Sequence, residues 1–218
     1  MNVTIKWDYL PVKGKEPLLF ESKPIPVTTV IPIVNDIEKT GRVKELLFVD
    51  EQGSEWSKKE ILKYLKGVED EPHNITLTFD GGFEHTSNKA GLGITIHFTQ
   101  NKTEFRIRKN QCIEGIQSNN EAEYAALWFG IQELENLGAH HIPVTIQGDS
   151  LVVINQLTEE WPCYEEELLS WIERIEKKVA DLGFQVNYSS LSRKNNKEAD
   201  HLASQALQGT EISSQIAL

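Results

Sequence analysis

Cysteine is nearly missing, with only Cys112 and Cys163 among 218 residues. Two thiols exclude a disulfide framework, and the six histidines show no ligand spacing with them, which argues against a structural zinc site. No apolar run approaches the roughly 18 residues of a membrane span. The first residues, Met1-Asn2-Val3-Thr4-Ile5-Lys6-Trp7, carry no apolar leader pattern, so the expected setting is reducing and cytoplasmic, with no membrane. Positive charge is also scarce: 22 Lys and Arg face 33 Asp and Glu, a net charge of −11. A protein that clings to nucleic acid through bulk charge is thereby excluded, and any such contact must be local. No internal repeat is visible. The 39% of hydrophobic residues is enough for a real core. The length suits one domain of about 150 residues with a small companion.

The companion comes first. Val3, Ile5, Trp7 and Tyr9 alternate with polar residues, as a half-buried strand requires, and Leu18 to Glu21 offers a hairpin partner. A helix is expected to open at Pro32 and stop at Gly41, and Leu46 to Val49 reads as a further strand. Ser57 and Glu60 form a capping box ahead of Ile61, Leu62, Tyr64 and Leu65. Residues 1–68 thus read as a small α+β domain of unassigned role. The polar stretch Gly67 to His73 closes with Pro72, so 69–73 is the expected linker. Residues 74–208 then read as βββαβααβα. The strands are Ile75 to Phe79, Leu92 to Phe98, Glu104 to Cys112, Val144 to Gln147 and Phe184 to Leu191. The helices run from Glu121 to about Leu137, from Asp149 or Ser150 to Leu157, from Glu165 to Leu182 and from Asn196 to Leu207. The fold class is α/β: an antiparallel meander continued by parallel strands with right-handed crossovers. Residues 209–218 read as a frayed tail.

Four acids stand out, and each has an ordinary explanation. Asp80 follows an apolar strand and precedes Gly81-Gly82, which reads either as a turn or as a ligand-facing strand end that a backbone or phosphate can approach. Glu123 either reaches back to cap its helix or, sharing a stripe with Leu127, Gly130, Ile131 and Leu134, points inward and requires a cation or donors. Asp149, in Gly148-Asp149-Ser150, is a helix cap or emerges beside Asp80. Asp200 is a first-turn acid or a fourth member of the group. Together they would place three or four acids at one sheet edge, where mutual repulsion raises their pKa values unless cations intervene. Hard oxygen donors suit Mg²⁺ or Mn²⁺, and two such ions can hold the attacking and leaving oxygens of a phosphoryl displacement.

In this order, the motifs Thr78-Phe79-Asp80-Gly81-Gly82, Ser118-Asn119-Asn120-Glu121-Ala122-Glu123, Gly148-Asp149-Ser150 and Asn195-Asn196-Lys197-Glu198-Ala199-Asp200-His201-Leu202-Ala203 resemble type 1 ribonuclease H, in its bacterial reverse-transcriptase-like branch. The resemblance spans about 74–207. It implies a ribonuclease H-like mixed five-stranded sheet flanked by helices, with Asp80, Glu123, Asp149 and Asp200 binding two Mg²⁺ ions, Mn²⁺ substituting. It further implies hydrolysis of the RNA strand of an RNA–DNA hybrid. Asn119 and Asn120 match the family's substrate-contacting asparagines, and Ser118 and Gly82 lie where phosphate or sugar would be held. Three departures are visible. The loop Ser192 to Asn196 has no histidine, which leaves Arg193 as the candidate for its role; Leu151 stands where a glutamine is frequent; and Thr158 to Leu168 is acidic where relatives carry a basic, Trp-bearing handle. Trp161 and Tyr164 in that stretch are expected to pack against helices. Residues 1–68 also lack the basic, Gly- and Trp-rich signature of the family's hybrid-binding domain. These departures keep two alternatives open: an accessory nucleic-acid-binding module with weak or no cleavage, and a two-metal nuclease with another nucleic-acid preference. Short basic clusters, Arg106 with Arg108 and Arg193 with Lys194 and Lys197, are the expected grip, with Lys109 pointing away.

Overall fold

The computed structural model describes every residue except Lys15 and divides the chain into two units, Met1–Asp70 and Glu71–Leu218. In the first, β1 (Asn2–Tyr9) pairs antiparallel with β2 (Leu18–Glu21), β3 (Ile25–Pro26) and, after α1 (Val30–Lys39), β4 (Val43–Asp50), which pairs with β5 (Glu55–Trp56). Alternation along β1 sends Val3 and Ile5 into a core with Val30, Val34, Phe48 and Ile61. The capping box forms as the sequence predicts: Ser57 N–H donates to Glu60 at 2.7 Å, and Glu60 N–H donates to the Ser57 hydroxyl at 3.3 Å. They open α2 (Lys58–Asp70).

The expected linker at 69–73 is largely absent. Helix α2 continues to Asp70 and the next strand begins at His73, so only Glu71 and Pro72 intervene. Pro72 disfavours helical backbone at the residue before it and so ends α2 late.

The second unit is built on β6 (His73–Glu84), β7 (Lys89–Gln100), β8 (Thr103–Glu114), α3 (Asn119–Asn136), β9 (Pro143–Gly148), α4 (Leu151–Leu157), α5 (Glu166–Leu182), β10 (Gln185–Ser190), α6 (Lys197–Leu207) and β11 (Ser213–Ala217). The sheet order is β10-β9-β6-β7-β8-β11, with β9 and β10 parallel to β6 and β7, β8 and β11 forming the antiparallel side. This is the expected mixed α/β sheet with one strand more. Two features differ from expectation. Asp80-Gly81-Gly82 is no turn: β6 runs on through Glu84, with Asp80 opposite Gly93 on β7. The tail is not frayed but supplies β11, because buried Asn110 on β8 takes hold of it. The Asn110 amide donates to Thr210 O at 2.9 Å, and its oxygen accepts from Ile212 N–H at 2.6 Å.

Helix α3 lies on one face of the sheet and α6 on the other, and glycines permit both approaches. A Cβ on Gly81 would sit 2.3 Å from the Ala122 backbone of α3, and one on Gly93 would sit 2.1 Å from Ala199 O of α6. Between α3 and the sheet lies the main core, with Leu77, Phe79, Ile94, Tyr124, Leu127, Ile131 and Ile146. Among the described residues no helix is long and apolar enough to cross a membrane.

Candidate metal centre

The centre forms where β9 stops. Parallel pairing of β6 with β9 ends at Thr78 and Gln147, so past Thr78 that side of β6 is open. Asp80 faces the α6 side of the sheet and α3 brings Glu123 from the other. Through the opening, the Gly81 N–H donates to the Glu123 carboxylate at 3.1 Å. Asp149 follows the last residue of β9 and immediately precedes Ser150, which caps α4 by accepting from Val153 N–H at 3.4 Å. Carboxylate oxygens of Asp80, Glu123 and Asp149 all lie within 4.8 Å of one another.

The ordinary explanations for three of the acids fail: other residues take the capping roles of Glu123 and Asp149, and Asp80 lies in no turn. The box at the start of α3 is made by Ser118, which accepts from Glu121 N–H at 3.1 Å, and by Glu121, which accepts from Gln117 N–H at 2.8 Å. Glu123 is thus free to turn inward, where it is 7% exposed. Ser150 caps α4 in place of Asp149, and no turn exists at Asp80. Asp200 stays apart: it is exposed on the first turn of α6 and outside the close group.

Electrostatics follow from burial. The Asp80 carboxyl is pushed up to about 7, first by burial and then by Asp149 and Asp200, against the opposing pull of Arg193 and the Asn196 amide. Burial, then Asp80 and Asp149, raise Glu123 to about 8, while the Gly81 N–H and Arg193 work the other way. Buried acids this close require protons or cations, and an all-oxygen donor set is the chemistry of a hard divalent ion. The residues present therefore fit Mg²⁺ or Mn²⁺.

The residues expected to touch substrate are distributed around this point. Asn119 and Asn120 begin α3, Asn119 exposed and Asn120 half-buried. Ser118 has its hydroxyl engaged as the cap. Gly82 is half-buried on the α6 side, and a Cβ there would come within 3.3 Å of Leu207. Arg193 is 87% exposed and lies 4.0 Å from the Asp149 carboxylate. Trp161 and Tyr164 depart from expectation: rather than being packed away against helices, they are 46% and 86% exposed. Arg106 and Arg108 share a face as alternation requires, yet both are ion-paired with Glu198 of α6, at 3.3 and 2.9 Å. Sequence reasoning missed Asn196, whose amide donates to Asp149 at 2.9 Å and to Asp80 at 3.1 Å. Its position four residues before Asp200, at the start of the same helix, was the available signal.

A mixed sheet in this order, with helices on both faces and acids from β6, α3 and β9 converging at one opening, defines a protein of the ribonuclease H-like class. The reverse transcriptase-like family matches residues 78–206, more than half of the chain, and the chain belongs to that family. Among its relatives, the uncharacterized protein YpeP of Bacillus subtilis is 45% identical over 165 residues, 76% of this chain and 73% of its own length. The N-terminal RNase H domain of Rv2228c from Mycobacterium tuberculosis, solved as a fusion with maltose-binding protein, is 27% identical with a TM-score of 0.54, over 62% of this chain and 94% of that one. LC11-RNase H1, solved in complex with an RNA/DNA hybrid, is similar in fold, at 24% identity and a TM-score of 0.54 over 62% of this chain and 98% of its own.

Proposed function

We propose that this protein is a metal-dependent endonuclease that hydrolyses the RNA strand of RNA–DNA hybrids. The observation that carries the reading is the convergence of Asp80, Glu123 and Asp149 oxygens within 4.8 Å. These three residues would hold the cation, Mg²⁺ or Mn²⁺ in a two-ion site, and Asp200 would complete the set from α6. When bound, the ions supply a nucleophile at neutral pH and charge stabilisation on the transferring phosphoryl oxygens. The chain's own part is to gather the acids in a half-dry recess, where a bound cation would keep them deprotonated, and to seat the duplex. Asn119 and Asn120, at the exposed start of α3, are suited to minor-groove edges and 2′-hydroxyls. Ser118 and Gly82 border the same end, and Arg193 is placed to meet a phosphate or the departing strand in place of a histidine. Membership of the reverse transcriptase-like family and likeness to proteins titled RNase H support hydrolysis as the reaction class. The two free thiols, Cys112 and Cys163, agree with a cytoplasmic setting.

The second reading, an accessory module with the same fold and feeble cleavage, is favoured by the scarcity of unengaged positive charge. One experiment separates them: incubation of matched RNA–DNA, RNA–RNA and DNA–DNA duplexes with wild type and Asp80→Asn, with and without Mg²⁺ or Mn²⁺. The endonuclease reading expects metal-dependent cutting of the RNA strand in the hybrid and a loss of at least about 100-fold in the variant. Metal binding without cutting would move the assignment to the accessory module. Cutting of DNA–DNA in preference would move it to a nuclease of other specificity.

A further inference from the structure

Asn196 occupies the capping position of α6 but does not cap it. An asparagine there ordinarily turns its side-chain oxygen onto an N–H of the first helical turn. Asn196 makes no such bond. It is 1% exposed, and its Oδ1 is buried with no hydrogen-bond partner. All the side chain's bonds are made by Nδ2, which donates to Phe79 O at 3.0 Å, to Asp80 Oδ1 at 3.1 Å and to Asp149 Oδ1 at 2.9 Å. The opposite orientation would aim the oxygen at three acceptors, so the amide's direction is set by the two acids and the carbonyl between their strands. An oxygen left without a partner in the interior is a cost, and nothing local to α6 offsets it.

The same residue begins the helix that carries the fourth acid. Its backbone carbonyl accepts from Asp200 N–H at 3.1 Å, one helical turn on. A single fixed point therefore joins the end of β9, the middle of β6 and the first turn of α6.

We propose that Asn196 is a positioning residue: its amide aligns the Asp80 and Asp149 carboxylates for a shared divalent cation. The proposal deepens the reading of the carboxylate centre given above and rests on it. Outer partners that orient metal-ligating groups commonly govern affinity by about 10- to 100-fold. A residue that merely packed would affect melting and leave affinity alone.

The test uses the full chain and the metal alone. Wild type and Asn196→Ala are titrated with Mn²⁺ and with Mg²⁺, and the midpoint is read from thermal stabilisation and calorimetry. The expected result is a midpoint raised about tenfold or more in the variant. A lowered melting temperature with an unchanged midpoint would overturn the proposal. Should the alanine variant fail to fold, Asn196→Ser is judged by the same criterion. A double-mutant cycle on the metal-free protein supplies a readout that needs no ion. The melting penalty of Asn196→Ala should shrink by at least about half in an Asp149→Asn background, because one of the amide's two carboxylate partners is then gone. Strict additivity would refute the coupling. Failure of wild type to bind either ion would instead strike the metal reading itself, with the cycle still deciding whether Asn196 aligns the acids.

Discussion

Asp80 and Glu123 reach the centre from different elements and meet the same difficulty: each is buried beside other acids, which holds their carboxyls up at about 7 and about 8. A carboxyl raised in the folded state binds its proton more tightly there than in the unfolded chain, so stability falls with pH between the two values. The contribution of this pair is complete below about pH 4 and is lost as pH climbs through 7 and 8. Metal-free wild type should therefore lose melting temperature between about pH 5.5 and about pH 8.5 more steeply than Asp80→Asn, and the variant should melt higher at the upper pH. Added Mg²⁺ should reverse the trend for wild type alone, because ligation requires deprotonated carboxylates. Melting curves of both proteins at the two pH values, with and without metal, decide this, and parallel curves would remove the repulsive pair. At this scale much was legible beforehand. Asp80 and Asp149 follow apolar strand runs, and Glu123 shares the apolar stripe of α3. Which acid would cap and which would turn inward was a competition between Glu121 and Glu123 that only packing resolves. Asn196 was hidden for the same reason, since the direction of an amide is decided by groups 47 and 116 residues away.

The elements that departed from expectation are those whose fate depends on a distant partner. Asp-Gly-Gly has the composition of a turn, yet the glycines admit α3 on one face and leave β6 extended. The tail after α6 has few apolar residues of its own, and the strand it forms is exposed along its whole length. Besides its antiparallel pairing with β8, it is held by Asn110, 100 residues away from Thr210 and only 6% exposed. Truncation after Gln208 would take Thr210 O and Ile212 N–H from that side chain, leaving its amide only Leu202 O at 2.9 Å, and would bare the edge of β8. The loss of a buried side chain's partners costs about 2 kcal/mol, which in a unit of this size corresponds to roughly 5 °C of melting temperature. Asn110→Ala should reproduce most of the drop in the full chain, and the two changes together should cost little more than either one. Additive losses in a melting series of the three variants would mean that β11 is held by something other than this side chain. By contrast, β1, the α2 capping box, α5 and the βββαβααβα order were readable directly, because their periodicity and end signals lie within the segment itself.

Charge is a property of the whole molecule, and it limits how the protein can grip a polyanion. Residues 71–218 carry 11 basic and 21 acidic residues, a net −10, against −1 for residues 1–70. Most of the positive side chains on the second unit are already engaged. Arg106 and Arg108 face Glu198, Lys109 faces Glu133, Lys178 faces Glu135 at 2.6 Å and Lys89 faces Glu114 at 3.1 Å. Arg174 lies over the Trp128 and Trp171 rings, at 5.6 and 4.7 Å. Beside the carboxylate centre, Lys194 and Lys197 are exposed without an ion pair among the described residues, and Arg193 has only its distant approach to Asp149. The loop that carries exposed Trp161 and Tyr164 adds Glu159, Glu160, Glu165, Glu166 and Glu167, all exposed, so it repels phosphate rather than drawing it in. Two or three phosphate contacts are what this distribution can supply. Each neutralised phosphate contributes about −0.9 to the slope of log affinity against log salt. Binding of a hybrid to Asp80→Asn, measured without cleavage across a salt series, should therefore give a slope of about −2 to −3. Arg193→Ala and Lys197→Ala should each flatten it by about 1, whereas Arg106→Ala should leave it nearly unchanged, since its charge is already opposed by Glu198. A slope of about −6 or steeper would require a basic surface that these 11 side chains do not form. An Arg106→Ala effect as large as that of Arg193→Ala would mean that Glu198 releases its arginines to the duplex.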